Sequence, residues 1–185
     1  MGEAELAGEV SGSTIELRAE RIAHLFDALD PFPFPQRDLS KTAEDYIVGW
    51  ARELSTHHPI RIVLHLPPEE AASPIAPILH EAFNTYFSYR ANRTDLDIRD
   101  LFRVGRISLA IGLSVLATCV IAGQLLAYQL GEGYVSRFFN EGLIILGWVA
   151  NWRPMEIFLY RWWPVMRQRN LYRRLAAAQI ELRPR

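Results

Sequence analysis

The chain has 185 residues, of which 50% are hydrophobic and 22% charged, with a formal net charge of −1 and one cysteine. This length fits one domain or two small ones. The near-neutral charge argues against a nucleic-acid partner, since such binders are usually strongly basic. One cysteine excludes an intrachain disulfide framework. Residues 1–106 resemble a soluble protein in composition, whereas residues 107–163 are far more apolar.

The first part of the chain predicts a small α/β domain. From Thr14 onward, Ile15, Leu17 and Ala19 alternate with polar side chains, which favours a strand. A helix is expected to begin near Lys41, with Ser40 or Asp38 as its N-cap. Residues 60–66 again have the pattern of a strand. The order strand, helix, strand is typical of one βαβ-like unit.

Helical spacing predicts the buried face of the Lys41 helix and a much longer helix after it. The expected apolar stripe of the first helix comprises Ala43, Tyr46, Ile47, Trp50, Ala51 and Leu54. Another helix should start near residues 70–73, and no clear breaker separates Asn84 from Arg106. A long helix into the apolar segment is expected, with an interruption near 92–94 as the alternative. Residues 179–182 predict a last short strand.

The segment from Ile107 to Leu130 carries no formally charged residue. A helix needs about 20 apolar residues to cross a hydrocarbon core of about 30 Å. The segment therefore predicts a first membrane span, at about 107–130. Its position in the chain excludes a signal peptide.

A second span is predicted at about 142–163, although this segment contains polar residues. Its aromatic residues are typical of a membrane–water interface and form a predicted belt of Trp148, Trp152, Tyr160, Trp162 and Trp163. The short link 131–141 favours an antiparallel transmembrane hairpin. Arginines are concentrated before the first span and after the second, whereas the link holds Arg137 alone. By the positive-inside rule both termini should be cytoplasmic.

The strongest anomaly in the second span is a predicted intramembrane polar site of Asn151, Arg153 and Glu156. Arg153 and Glu156 are three residues apart, so they can pair on a helix. One interpretation is an ion pair that fixes packing between subunits. A second places the pair near the cytoplasmic interface, with the span shifted outward to include 134–139 and Arg153 snorkelling. A conducting path is a third, less favoured interpretation.

Two further patterns suggest membrane roles. Small residues recur at four-residue spacing along the first span, and such spacing lets helices approach closely in lipid. This predicted packing stripe comprises Ala110, Ser114, Thr118 and Ala122. The favoured interpretation is packing against the second span, and an oligomer face is the alternative. A basic cluster after the second span predicts contact with anionic lipid headgroups. It comprises Arg167, Arg169, Arg173 and Arg174.

No pattern in the sequence supports a catalytic residue, a metal site or a cofactor. A metal site built from His57, His58, Glu69 and Glu70 is conceivable, but solvated surface residues are the favoured interpretation. The nucleophile elbow, the paired-cysteine motif and the phosphate-binding loop are all missing from the sequence. The protein is therefore expected to be non-catalytic.

The segments LFDALDPFPFPQRDLSKTAEDYIVGWAREL (25–54) and GWVANWRPMEIFLYRWWP (147–164) resemble those of small bacterial two-span membrane proteins that have a cytoplasmic N-terminal domain and no assigned activity. The resemblance implies a bacterial inner-membrane location and transfers no catalytic residue.

Together these features predict an α+β membrane protein, in which a small cytoplasmic strand–helix–strand domain precedes a two-helix transmembrane hairpin. We expect it to act as a homo-oligomeric scaffold, or as an accessory subunit beside other membrane-protein subunits. The alternative is a channel or transporter component that uses Arg153 and Glu156. The expected divisions are a mobile tail 1–12, a cytoplasmic α/β domain 13–100, the hairpin 101–165 and a cytoplasmic C-terminal tail 166–185.

Overall fold

A computed structural model describes residues 13–55, 58–131 and 133–185. The chain divides into two compact units, one of Met1–Arg93 with Gln168–Arg185 and the other of Thr94–Arg167. The fold is mixed α+β, with a small sheet and one long apolar helix. The predicted mobile tail, residues 1–12, lies outside the described residues.

The first unit contains the sheet and the helices that cover it. Its strands and helices, with the first part of the long helix, are β1 (Thr14–Arg18), α1 (Lys41–Glu53), β2 (Arg61–Leu66), α2 (Pro68–Ala71), the beginning of α3 (Leu79–Leu130), the end of α6 (Trp162–Ala176) and β3 (Gln179–Pro184). Short 3-10 helices occupy Ile22–Leu25 and Ala76–Ile78.

The three strands form a parallel sheet in the order β1-β2-β3. Their apolar residues align across the sheet, with Ile15, Ile62 and Ile180 in one row. The connection of β1 to β2 through α1 confirms the predicted βαβ-like unit. Strand β3 confirms the predicted last strand and brings the C-terminal residues into the first unit.

Helix α1 has the predicted N-cap at Ser40, but its buried face differs from the predicted apolar stripe. The Ser40 hydroxyl accepts a hydrogen bond from the amide of Ala43 at 3.3 Å, as expected of an N-cap. Tyr46 and Trp50, predicted to be buried, have exposed fractions of 45% and 39%. The buried face is rotated toward Glu44 and includes Val48, because the Glu44 carboxylate forms an ion pair with Arg90 inside the domain.

Helix α3 is continuous over 52 residues and has no interruption at 92–94. It begins at Leu79 rather than near 70–73, because the chain before it forms α2 and the 3-10 helix at Ala76–Ile78. Within the described residues it is the one helix long and apolar enough to cross a membrane, and only 17% of its most apolar window is buried.

The second predicted span is divided into shorter helices. Helix α4 covers Tyr134–Ala150, α5 covers Trp152–Glu156, and a π-helix at Ile157–Arg161 leads into α6. Asn151 ends α4 as its C-cap. This break follows the local sequence, since Pro154 has no backbone donor for the helix ladder.

In the second unit, α3 packs antiparallel against the segment from α4 to the π-helix. Successive contacts run in opposite chain directions and pair Gly105 with Ile157, Gly112 with Asn151, Leu116 with Gly147, and Gly123 with Asn140. The glycines permit this approach: a Cβ atom added at Gly112 would lie 2.7 Å from the Asn151 side-chain oxygen. Small residues of this kind allow helix backbones to come close.

Candidate functional site

Asn151 lies within the α3–α4 contact and is only 7% exposed. Its amide nitrogen Nδ2 donates to the carbonyl oxygens of Gly112 at 3.0 Å and Gly147 at 2.9 Å. Both amide hydrogens are therefore used within the second unit. This predicted site residue joins two helices and is enclosed by them.

Arg153 and Glu156 do not form the predicted pair. The Oε1 atom of Glu156 instead accepts a hydrogen bond from Nε of Arg161 at 3.0 Å. These two residues are five apart, and the π-helix at Ile157–Arg161 explains their proximity, because a π-turn brings positions i and i+5 together. Arg153 is exposed.

The helix contacts also fix where Arg153 lies along α3. Asn151 contacts Gly112, and Ile157 contacts Gly105, so Arg153 lies between these two levels. Four residues separate Arg153 from Ile157, which corresponds to about 6 Å of helix. Arg153 is therefore level with the beginning of the apolar segment of α3 and not with its middle.

The predicted packing stripe does not face the neighbouring helices of its own chain, whereas its alternative role as an oligomer face stays a prediction. Ala110, Ser114 and Thr118 are exposed and Ala122 is half-buried. The hydroxyls of Ser114 and Thr118 donate to backbone carbonyls four residues earlier, at 2.9 and 2.8 Å. The face that contacts the neighbouring helices instead carries Gly105, Gly112, Leu116 and Gly123.

The predicted aromatic belt is largely exposed. Trp148, Trp152, Tyr160 and Trp163 all present their rings on the surface, whereas Trp162 is half-buried. The Nε1 atom of Trp162 donates to the carbonyl oxygen of Phe158 at 2.9 Å. At the other end of the helix pair, Tyr128 and Tyr134 are more than nine-tenths exposed. The sequence interpretation missed these two tyrosines, although they flank the link between the helices.

The four C-terminal arginines have different environments. Arg174 donates to the carbonyl oxygens of Ser55 at 2.6 Å and His58 at 3.3 Å. Its guanidinium is therefore engaged within the first unit, and its contact with lipid headgroups stays a prediction. Arg169 donates to the side-chain oxygen of Asn170. Arg167 and Arg173 have exposed side chains.

A buried polar cluster in the first unit was missed entirely by the sequence interpretation. Glu44 of α1 is 5% exposed, and its Oε1 atom lies 2.5 Å from a guanidinium nitrogen of Arg90 on α3. The hydroxyl of Tyr172, on α6, donates to the same carboxylate oxygen at 3.3 Å. The guanidinium of Arg90 also stands over the Tyr172 ring, 5.4 Å from its centre. The cluster thus joins three helices through one carboxylate.

The surroundings of this cluster raise the pKa values of Arg90 and of Tyr86, which lies one turn earlier on α3. Burial raises the pKa of Tyr86, and the negative charge of Glu44 raises it further. Burial is the largest single influence on Arg90 and lowers its pKa, but the hydrogen bond to Glu44 and the electrostatic interactions with Tyr172 and Glu44 together outweigh it, so the net pKa is raised. Gln168 donates to the Tyr172 hydroxyl at 3.1 Å. These hydrogen bonds hold the side chains of the three helices together, and we interpret the cluster as stabilising the fold of the first unit.

A cavity of about 500 Å³ opens beside the end of β1 and the start of α1. It is lined by Leu17, Arg18, Ala19, Glu20, His24, Leu25, Ser40, Thr42, Ala43 and Tyr46.

The described residues contain no group of three or more potential metal-binding side chains. Of the four residues considered for a metal, His57 lies outside the described residues. Glu70 accepts a hydrogen bond from the amide of Ile22 at 2.9 Å, which is a structural role in the first unit.

No family model, curated protein or solved structure matches this chain. The resemblance to small bacterial two-span membrane proteins therefore stays a prediction. The functional argument depends on the geometry of the two units alone.

Proposed function

We propose that this protein is an integral membrane protein whose two antiparallel spans anchor a cytoplasmic α/β domain. In this proposal it acts without catalysis, as a homo-oligomeric scaffold or as an accessory subunit of a larger membrane complex. The observation that carries the proposal is the distribution of side chains on the α3–α4 pair: glycines lie in the contact between the helices, and many large apolar residues face outward.

The outward surface of the second unit is unusually apolar. Its exposed residues include Ile107, Ile111, Leu113, Ile121, Leu125, Val135, Phe138, Ile145, Leu146 and Val149. Soluble monomers rarely gather so many exposed large apolar residues on one pair of helices. The hydroxyls of Ser114 and Thr118 bond to their own helix, which is how these residues are satisfied where water is absent.

The helix contacts support an outward shift of the second span. The uncharged part of α3, from Ile107 to Gln129, lies level with about 134–156 of the returning segment. Arg153 then lies three residues, about 4.5 Å, inside the cytoplasmic boundary, within reach for its guanidinium to snorkel. Tyr128 and Tyr134 mark the opposite boundary, as interfacial aromatics do. This placement favours the interface interpretation of Arg153 and Glu156.

The arginine distribution supports a topology with both termini in the cytoplasm. Arg99, Arg103 and Arg106 precede the first span, and Arg167 follows the second, whereas Arg137 is near the outer end. Placement in a bacterial inner membrane rests on the sequence resemblance. A channel that uses Arg153 and Glu156 is less favoured, because Glu156 is already neutralised by Arg161.

The membrane proposal is tested by alkaline carbonate extraction of the full-length protein. We expect the protein to stay in the membrane pellet and to need detergent for release; recovery in the aqueous supernatant would overturn the proposal. For topology, single cysteines are placed at Gly133 and at Arg185 in a Cys119→Ala background. A membrane-impermeant maleimide added to spheroplasts should label position 133 and not position 185; the reverse result would contradict the orientation.

Native mass spectrometry of the detergent-extracted protein tests the scaffold role. We expect a defined homo-oligomer, or a stoichiometric complex with another membrane protein. A monomer without companions at every detergent concentration would refute that role while leaving the membrane assignment intact.

A further inference from the structure

The edge strand β1 presents backbone groups that no neighbouring strand uses. Within the described residues, β1 pairs with β2 alone. The carbonyl of Ser13 and the amide of Ala19 bond to β2. Because backbone groups alternate in direction along a strand, those of Glu16 and Arg18 point to the open edge. Such an edge is a template for pairing with another strand.

The charges on β1 favour a second β1 as that partner, in one register. Antiparallel pairing centred on Leu17 places Glu16 of each copy opposite Arg18 of the other, and Leu17 opposite Leu17. Both charged residues are exposed on the same face of the sheet, and each pair would also exchange two backbone hydrogen bonds. The Glu16 carbonyl already accepts a hydrogen bond from Tyr46 and would accept the second with its other lone pair. Pairing centred on Glu16 would instead set two carboxylates against each other, which is unfavourable.

Two exposed aromatic rings lie beside the same edge. The Tyr46 hydroxyl donates to the carbonyl oxygen of Glu16 at 3.4 Å, which places its ring next to β1. Tyr46 and Trp50 form a ring pair with centres 6.2 Å apart, and both are more than one-third exposed. Aromatic residues are enriched in protein interfaces. They supply apolar area that a short strand pair alone would lack.

We propose that two copies of this chain associate through antiparallel pairing of β1, in the register centred on Leu17, which joins two three-stranded sheets into one of six strands. This inference rests on the homo-oligomeric role proposed above and names the contact that builds it.

The opposite edge of the sheet carries the same charges but is unsuited to such pairing. Glu181 and Arg183 of β3 lie in the same rows of the sheet as Glu16 and Arg18. The amides of Gln179 and Arg185 bond to β2, so Pro184 belongs to the set that points outward. Proline has no amide hydrogen and interrupts pairing at an open edge. Strand β3 therefore provides a matched control.

The test is a charge reversal on full-length protein in detergent, with oligomeric state measured by native mass spectrometry and light scattering over a dilution series. Glu16→Arg sets arginine against arginine twice in each dimer, and Arg18→Glu does the same with carboxylates. Each single variant should weaken the dimer by roughly tenfold or more. The double variant Glu16→Arg/Arg18→Glu restores opposite charges and should recover the wild-type dissociation constant. Glu181→Arg and Arg183→Glu should leave it unchanged.

The possible failures are distinguishable. An oligomer that withstands both β1 reversals, or that the double variant does not rescue, overturns β1 pairing and leaves the oligomeric scaffold standing. A wild-type protein that is monomeric at all concentrations overturns both.

Circular dichroism of each variant identifies loss of folding, and a cross-link supplies a second measurement. In a Cys119→Ala background, Glu16→Cys/Arg18→Cys should form a disulfide-linked dimer on oxidation, whereas Glu181→Cys/Arg183→Cys should not; absence of the β1 cross-link contradicts the proposal.

Discussion

The side-chain amide of Asn151 donates to the carbonyl oxygen of Gly112, 3.0 Å away on the neighbouring antiparallel helix. The other amide hydrogen bonds to the carbonyl of Gly147, in the last turn of α4. The close approach of the backbones depends on Gly112, because a Cβ atom there would collide with the Asn151 oxygen. The Asn151 hydrogen bond and the absence of a side chain at Gly112 therefore both support the contact at the same level of the helix pair.

Substitution of Asn151 by alanine should destabilise the helix pair by about 1 kcal/mol, because interhelical hydrogen bonds in membranes contribute modestly. The measurement is thermal or chemical unfolding of the full-length protein in detergent. Gln124→Ala is the control, since Gln124 is an exposed polar residue of α3. Equal stabilities of the two variants would show that the Asn151 bond contributes nothing measurable.

Alanine at Gly147 should destabilise the protein by about 1 to 3 kcal/mol, as overpacking does in a tight contact. The added Cβ would lie 2.5 Å from a Leu116 methyl group and 3.0 Å from the Leu116 Cα, which is backbone and cannot move aside locally. Gly142→Ala, in the same helix, meets nothing within 4 Å. This control should be neutral, or more stable by up to about 1 kcal/mol through helix propensity.

Sequence periodicity predicted the parallel strands and the long helix well, but it could not select which face of α3 meets its partner. The stripe from Ala110 to Ala122 and the glycines at 105, 112 and 123 both satisfy the rule that small residues permit close packing. The choice depends on the partner: Asn151 and Leu116 fit against glycine, whereas the hydroxyls of Ser114 and Thr118 are satisfied within their own helix. Such complementarity is a property of two segments together.

Removal of the Glu44 carboxylate should destabilise the first unit more than any neighbouring surface substitution. Breaking a buried ion pair typically costs about 3 to 5 kcal/mol. Because the Arg90 side chain is 31% exposed and can recover some hydration, we expect about 2 to 3 kcal/mol for Glu44→Ala. The free energy of unfolding in denaturant is the measurement. Asp45→Ala is the adjacent control, since Asp45 is exposed and pairs with Lys41; its effect should stay within about 0.5 kcal/mol. Similar losses for both variants would contradict a structural role of the cluster.

The importance of Glu44 could not be predicted from the sequence, because an acidic residue in the first turn of a helix is ordinarily exposed and complements the helix dipole. Its partners Arg90 and Tyr172 are far away along the chain, and the contact forms when β3 brings the C-terminal residues back to the sheet. The prediction of a strand at 179–182 contained part of this information. The same contact explains why Tyr46 and Trp50 are exposed, since α1 presents Glu44 to the interior of the domain in their place.

The raised pKa of Tyr86 predicts a loss of stability in alkaline solution. Unfolded tyrosine ionises near pH 10, whereas burial and the charge of Glu44 hold the pKa of folded Tyr86 above that value. A pKa that folding raises stabilises the native state fully below the unfolded value, and this contribution is lost as pH rises through the folded value. The free energy of unfolding should therefore decline from about pH 10 upward. Tyr86→Phe should reduce that decline, whereas Tyr89→Phe, at an exposed position of the same helix, should retain it. Chemical unfolding curves between about pH 8 and 11 provide the comparison, and identical alkaline slopes for wild type and Tyr86→Phe would refute the assignment.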